Sequence, residues 1–521
     1  MKTADRQAVS FGRSLRSDRH PVKRRRTHPR LEWMEDRTLL STFLVSNTAD
    51  SGLGSLRQAI LDSNAATGAT NTIDFDIAGA GAQTIVPLSP LPAITYPVLI
   101  DGDSQPGYAG TPLIELNGSQ AGGGDGLTIT GAGVTVRGLD INGFAQGAGI
   151  HMTGTSATGN WIYGDFLGTD STGTQAEPND YGVEIDGGAS GNLIGTNGDG
   201  VNDQAERNLI SGNLFAGVWI TGQGTDGNAV AGNFVGTDIS GSVALNNGTQ
   251  PVGDSQGYYF GGGVVIAAGA SGNRIGTDGA SVDDVGERNV IAGSDNDAID
   301  IYGTGTDANV VAGNFIGTDV TGTRSLGIAG DGVFLAEGSS FNWIGVNPNG
   351  GTVVGDEGNL ISGSGYDGVA IVAGSNGNVV AGDRIGTDVT GAVALGNSGN
   401  GVEIDYSSGN TIGGTGTGGA DVISGNQGSG VSLNGASDNL VEGDFIGTDI
   451  TGTVALGNAQ SGVLIDNYAE TNTIGGTAAV GGNLITDNFG PGVVVGNSVG
   501  DYSAGDEITA NRIFGNAGQA I

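Results

Sequence analysis

Cysteine is absent from these 521 residues, which excludes a disulfide framework, thiolate chemistry and cysteine-based zinc sites. Lysine is absent after residue 41. Residues 1–41 carry 11 of the 19 basic residues, Lys23, Arg24, Arg25 and Arg26 among them, and five of the 55 acidic ones; the rest of the chain sets eight arginines against 50 carboxylates. A body that acidic repels phosphate backbones, so nucleic acid is not an expected partner. The basic leader reads as a solvated tail or targeting segment. No apolar run is long enough to cross a bilayer. The best one near the start, LLSTFLV at Leu39 to Val45, is short and broken by Ser41 and Thr42, so it is no ordinary secretory signal. Aromatics make up only 6% of the chain, and its 103 glycines show no G-x-y period, which excludes collagen. Val, Ile and Leu are spread in short runs throughout, enough for a continuous core.

What is present is a repeat. NWIYGDFLGTD, NAVAGNFVGTD, NVVAGNFIGTD, NVVAGDRIGTD and NLVEGDFIGTD end at Asp170, Asp238, Asp319, Asp388 and Asp449, at comparable but unequal intervals. Inside the intervals, Asn192, Asn208 and Asn228 head one triplet of short segments, and Asn273, Asn289 and Asn309 head the next with the same shorter step followed by the same longer one. Read as one asparagine per coil, each superrepeat holds about three coils. The segments, such as GVWI at 217–220, are of strand length and alternate apolar with small or polar residues. Gly, Asn, Asp and Ser fill the gaps, as tight or left-handed turns require. The pattern predicts an all-β, parallel solenoid with coils about 4.8 Å apart.

The recurrent asparagines then fit one corner of successive coils, each bonded to its counterpart one rung away. In T-D-x-[ST]-G, the five aspartates occupy the first position of a type I turn and Gly the last. Calcium is a weaker reading, because one carboxylate per set of rungs is too few. GTNGDGVNDQAE, Gly195 to Glu206, is acidic enough to hold calcium loosely but lacks EF-hand spacing. In GSLRQAILDSNA, Gly54 to Ala65, Ser55 can cap a helix whose Leu56, Ala59 and Ile60 share a face and close the first coil.

Two resemblances add to this reading. LEWMEDRTLLS, Leu31 to Ser41, resembles the LExLExRxLLS element of large exported proteins of planctomycete-type bacteria, with Met34 in place of Leu; it implies export to the cell surface or beyond. TFLVSNTADSGLGSLRQAILDSNA at 42–65, with the later GTDxTG, ALGN and NxIGG elements, resembles exported bacterial right-handed parallel β-helix proteins of the pectin-lyase-like fold. The likeness spans residues 42–521 and implies a single-stranded right-handed parallel β-helix. It implies no one function, since that fold hosts lyases, hydrolases, adhesins and inert surface proteins. The expected organisation is a leader at 1–41, a cap and first coils at 42–141, and the repeated solenoid at 142–521. Ile521 falls where a strand would finish, so the natural protein is expected to be longer.

For catalysis the sequence offers little. DNDAID, Asp295 to Asp300, is the densest acidic cluster, but strand alternation puts Asp295 and Asp297 on one face and Asp300 on the other. The NTD, paired-Asp, Gly-His-Gly and RIK-like segments of polygalacturonases are missing. The histidines are His20, His28 and His151, and His151 reads as an isolated rung residue. Arg207 and Arg288 hold equivalent ERN positions, and no arginine cluster suits a uronate. The clearest break in the repeat is an insertion, since the stretch from Gly241 to Gly263 is more than twice as long as its counterpart from Gly322 to Gly332. It carries Tyr258, Tyr259 and Phe260, rings that suit a sugar or a protein partner or that fold back onto the wall. The expected function is a non-catalytic extracellular or surface module with an adhesive or structural role, whose partner is a polysaccharide or a surface protein. The alternative is a polysaccharide lyase or glycoside hydrolase sited near this insertion or the Asp295–Asp300 cluster. No cofactor is expected, with calcium as the open exception.

Overall fold

The computed structural model describes residues 41–67, 71–253, 257–279, 285–346, 357–476, 481–496 and 501–521. The leader, including all but the last residue of the LEWMEDRTLLS element, lies outside these residues. The chain divides into Met1–Leu39 and Leu40–Ile521, and only the second unit is described here.

Short apolar segments separated by glycine- and asparagine-rich corners cannot bury themselves singly, so they stack. Among the described residues they form three parallel sheets of 15, 14 and 12 strands. From Val98 to Val495 each coil contributes one strand to each sheet in turn. Leu193–Gly195 lies in the first sheet, Leu209–Ile210 in the second and Ala216–Thr221 in the third, after which Ala229–Ala231 pairs back onto Leu193–Gly195. This is a parallel β-helix. Val and Ile point inward rung upon rung, as in Ile194, Val230 and Ile275, and form one buried column through the described coils. Each such side chain contributes about 1.5–3 kcal/mol relative to exposure.

The coil differs from the sequence expectation. Asn192 bonds to Asn228, 36 residues on, whereas Asn208 bonds to Asn233, 25 residues on. Asn192, Asn228, Asn273 and Asn309 therefore form a ladder at the corner before the first sheet, and Asn208 and Asn289 belong to a second ladder before the second sheet. The shorter step from Asn192 to Asn208 and the longer one from Asn208 to Asn228 together make one coil. Between Asp170 and Asp238 the second sheet gains only Leu209–Ile210 and Phe234–Val235 after Phe166–Leu167, so a superrepeat holds two coils rather than three. The error arises because two corners of each coil demand the same residue for the same reason.

Asn192 shows how a ladder asparagine is engaged. Asn192 donates its backbone N–H and its Nδ2 to Asn228 Oδ1 at 3.0 and 2.9 Å, and its Nδ2 also donates to Ala157 O at 3.1 Å. In the third sheet, Gly and the following residue of GVxI both face the core. A Cβ at Gly217 would lie 2.7 Å from Gly263 O and 2.8 Å from Val235 Cγ1, which is why glycine sits there. The helix Leu56–Ala65 packs Leu56, Ala59 and Ile60 onto the first coil, and Ser55 Oγ accepts from Gln58 N at 3.2 Å. Pairing runs unbroken past residue 141, which lies inside the strand Leu139–Asn142.

The five turn aspartates cap their own turns. Gly173 N donates to Asp170 O at 2.8 Å, while Thr174 N and Gln175 N both donate to Asp170 Oδ1 at 3.0 Å and the Thr172 hydroxyl to Oδ2 at 2.7 Å. The same closure recurs at Asp238, Asp319, Asp388 and Asp449. Partial desolvation opposes charge on Asp170 and Asp449, but these hydrogen bonds outweigh it and hold both carboxyls below their ordinary range.

Candidate functional site on the outer face of the third sheet

Because the x of GVxI points outward, that column is free of the core's demands and varies from coil to coil. It reads His151, Glu184, Trp219, Val265, Asp300 and Phe334 along successive rungs. Two groups of side chains gather on it.

The first surrounds His151, which is not isolated. Its Nδ1 lies 3.0 Å from Asp125 Oδ2, and its Nε2 lies 3.1 Å from Asp186 Oδ1 and 4.0 Å from Glu184 Oε2. Asp125 is held by Thr128 Oγ1 and Ala148 N, each at 3.0 Å. Burial opposes charge on the ring, but the Asp125 bond and the Glu184 and Asp186 carboxylates prevail and push the imidazole up to about 9. Burial raises the Glu184 carboxyl despite the neighbouring imidazole. None of Asp125, Glu184 or Asp186 stood out in the sequence, because they lie 26 to 35 residues from His151 in the chain. Aligning GIHM at 149–152 with GVEI at 182–185 supplies the missing signal, since that register stacks His151 on Glu184.

The second group joins the two features that the sequence offered separately. The insertion forms a hairpin of Val252–Gly253 and Tyr259–Phe260. Phe260 is buried and stacks on Tyr302 at 3.5 Å, Tyr258 packs on Phe334 at 5.7 Å, and Tyr259 is 60% exposed. Beneath the hairpin, Asp300 Oδ2 accepts from Gly261 N at 2.8 Å. Asp297 and Asp300 share one face, close enough for the charge of Asp297 to oppose that of Asp300. The expectation that Asp295 and Asp297 pair without Asp300 is thus reversed. Ala298 and Ile299 both turn into the core, which slips the alternation by one residue. Asp295 is exposed and takes a bond from Asn246 instead. Burial raises Asp297 to about 6 and holds Asp300 well above its ordinary value. Asp297 Oδ1 accepts from Asp331 N at 2.5 Å, and Asp331 Oδ1 from Asp367 N at 2.6 Å, a carboxylate ladder of the same kind as the asparagine ones. With 6% and 1% of their surface exposed, Asp297 and Asp300 anchor the hairpin and present no open acid–base pair.

Between these groups runs a row of rings: Phe215 to Tyr181 at 5.5 Å, Tyr181 to Trp219 at 5.4 Å, Trp219 to Tyr302 at 6.5 Å, then Phe260, Phe334 and Tyr258. The eight arginines of the body lie elsewhere. Arg137 pairs with Asp101 and Arg274 with Glu287, while Arg207 and Arg288 stack on Phe234 and Phe315 at 4.1 and 4.3 Å. In the loop Gly195 to Glu206, Thr196 Oγ1 lies 2.8 Å from both Asp203 Oδ1 and Glu206 Oε2 and donates its single proton to one of them at a time.

No family model and no curated protein matches the sequence. Among solved structures, the chain is similar to the A-module of the mannuronan C-5 epimerase AlgE4 of Azotobacter vinelandii, with 13% identity over 92% of this chain and 97% of that one at a TM-score of 0.28. It is also similar to DFA-IIIase of Arthrobacter chlorophenolicus, with 14% identity, 83% and 93% coverage and a TM-score of 0.36. A third likeness is to the surface adhesin PfbA of Streptococcus pneumoniae, with 10% identity, 92% and 91% coverage and a TM-score of 0.32. The β-helix assignment rests on the strand register, and these likenesses transfer no activity. No helix among the described residues is long and apolar enough to cross a membrane.

Proposed function

We propose that the chain is a non-catalytic extracellular or cell-surface β-helix module that binds a neutral polysaccharide along the outer face of its third sheet. The row of seven rings from Phe215 to Tyr258 carries the reading. Beyond Phe334 the column carries no ring, running Ala370, Glu403, Ser432, Leu464 and Val494, and the run of rings, buried at Trp219, Phe260 and Phe334 and half-buried at Phe215, Tyr181, Tyr302 and Tyr258, gives pyranose C–H faces an apolar wall. The absence of arginine from the described strands of this sheet, with the net charge of −36, disfavours an acidic polymer. The LEWMEDRTLLS element supports export.

The test incubates the full chain with neutral and acidic polysaccharides and records both retention and the formation of reducing or unsaturated ends. The reading expects retention on a neutral polymer without product, weakened by Tyr181→Ala and Tyr259→Ala. Product formation abolished by Asp297→Asn or Asp300→Asn would instead establish the enzyme alternative.

A further inference from the structure

We propose that Asp125, His151 and Glu184 form a binding site for a divalent transition metal of the zinc class, with Asp186 as the positioning residue of the imidazole. The proposal is independent of glycan binding. The three residues offer ligand atoms that all lie within 4.8 Å of one another. They come from three consecutive rungs: His151 pairs with Glu184 on one side and with Thr128, the residue that bonds Asp125, on the other. Nδ1 faces Asp125 Oδ2 at 3.0 Å, close to the roughly 3.3 Å that separates neighbouring ligands of a tetrahedral metal with bonds near 2.0–2.2 Å. Nε2 faces Asp186 Oδ1 at 3.1 Å and Glu184 Oε2 at 4.0 Å, so with an Nε2–H donated to Asp186 the ligand is Nδ1, and the Glu184 carboxylate turns towards it when the ion binds. A metal-bound histidine whose second nitrogen is tied to a carboxylate is the usual arrangement, because the tie fixes the tautomer and the ring plane.

Charge points the same way. Three carboxylates surround one imidazole, no arginine lies on the described strands of this sheet, and the chain has no lysine beyond residue 41. Three acidic side chains against one imidazole are an imbalance that a dication offsets. One nitrogen and two carboxylate ligands favour zinc, cobalt or manganese over calcium, which takes six or more oxygens. With three protein ligands the fourth position of a tetrahedral ion stays open, and the side chains are about one-fifth exposed, so an ion can enter.

The experiment strips the full chain with a chelator and titrates it with Co²⁺, reading the visible absorption bands of low-symmetry cobalt, and with Zn²⁺ by calorimetry. The expected result is one equivalent bound with cobalt bands that vanish in His151→Ala and fall at least tenfold in affinity in Glu184→Gln. Asp186→Asn should weaken binding by about 10- to 100-fold while keeping the bands. His151→Gln, of similar volume, guards against a folding defect, and each variant must melt with the stripped wild type. Absence of bands and heat in the wild type overturns the proposal. So does binding that survives His151→Gln, which would place the metal on the leader's His20 or His28.

Discussion

The buried corners of this β-helix and the outer face of its third sheet obey opposite rules. At the corners one residue recurs because geometry permits almost nothing else: Asn233 gives its N–H and Nδ2 to Asn289, gives Nδ2 again to Ile194 O, and accepts from Asn208. On the outer face, neighbours one rung apart differ in size, charge and chemistry, from His151 to Glu184 to Trp219. Repetition therefore marks scaffold, and departure from it marks where the proposed partner would be met. The five T-D-x-[ST]-G turns, the most visible motif in the sequence, belong to the first class.

The largest effect should come from breaking a corner. Asn233→Ala removes a buried ladder side chain and leaves backbone groups of two coils unpaired, so a loss of about 3–5 kcal/mol is expected, read as a drop in unfolding midpoint.

A subtler break already exists in the second ladder. Asp383, Asp421 and Asp444 stand where Asn208 to Asn359 stand in earlier coils, accepting backbone N–H groups at 2.7, 2.7 and 2.9 Å. Their second oxygens have no partner among the described residues, whereas Asn359 Nδ2 at that place donates to Val311 O at 2.9 Å. A neutral carboxylic acid supplies the missing donor, and burial raises all three, Asp383 to about 7 and the others well above their ordinary value. With folded values above the unfolded one, the folded chain holds more protons, so this contribution to stability is full near pH 4 and is lost as pH rises through the folded values. Asp383→Asn with Asp421→Asn and Asp444→Asn should raise the melting temperature by several degrees at pH 8, change it little at pH 4 and flatten the profile between; equal shifts at both pH values would contradict the neutral-acid ladder.

Asp170→Asn keeps the acceptor for Thr174 and Gln175 and should cost under about 1 kcal/mol in chemical denaturation. The smallest stability change belongs to Tyr259→Ala, within about 0.5 kcal/mol, since that ring is mostly in solvent. If it also leaves glycan retention untouched, the hairpin is not part of the binding face.

The fold was legible because strand-length apolar segments, turn residues and a long repeat are local signals. The capping helix was legible through Ser55 and the spacing of Leu56, Ala59 and Ile60. The coil length was not, because two corners both call for asparagine and sequence spacing does not say which Asn faces which. The His151 group was hidden for a related reason: its members meet only once the register is fixed. Asp297 and Asp300 were misassigned because alternation assumes a regular strand and the glycine position of GVxI, held here by Ala298, breaks it.

The most direct measurement is calorimetric titration of the full chain and its Trp219→Ala variant with a neutral oligosaccharide and with an acidic one of equal length. The account predicts heat of binding with the neutral ligand alone, reduced at least tenfold by the loss of Trp219, and no turnover. Binding of the acidic ligand alone, or neutral binding indifferent to Trp219, would contradict it.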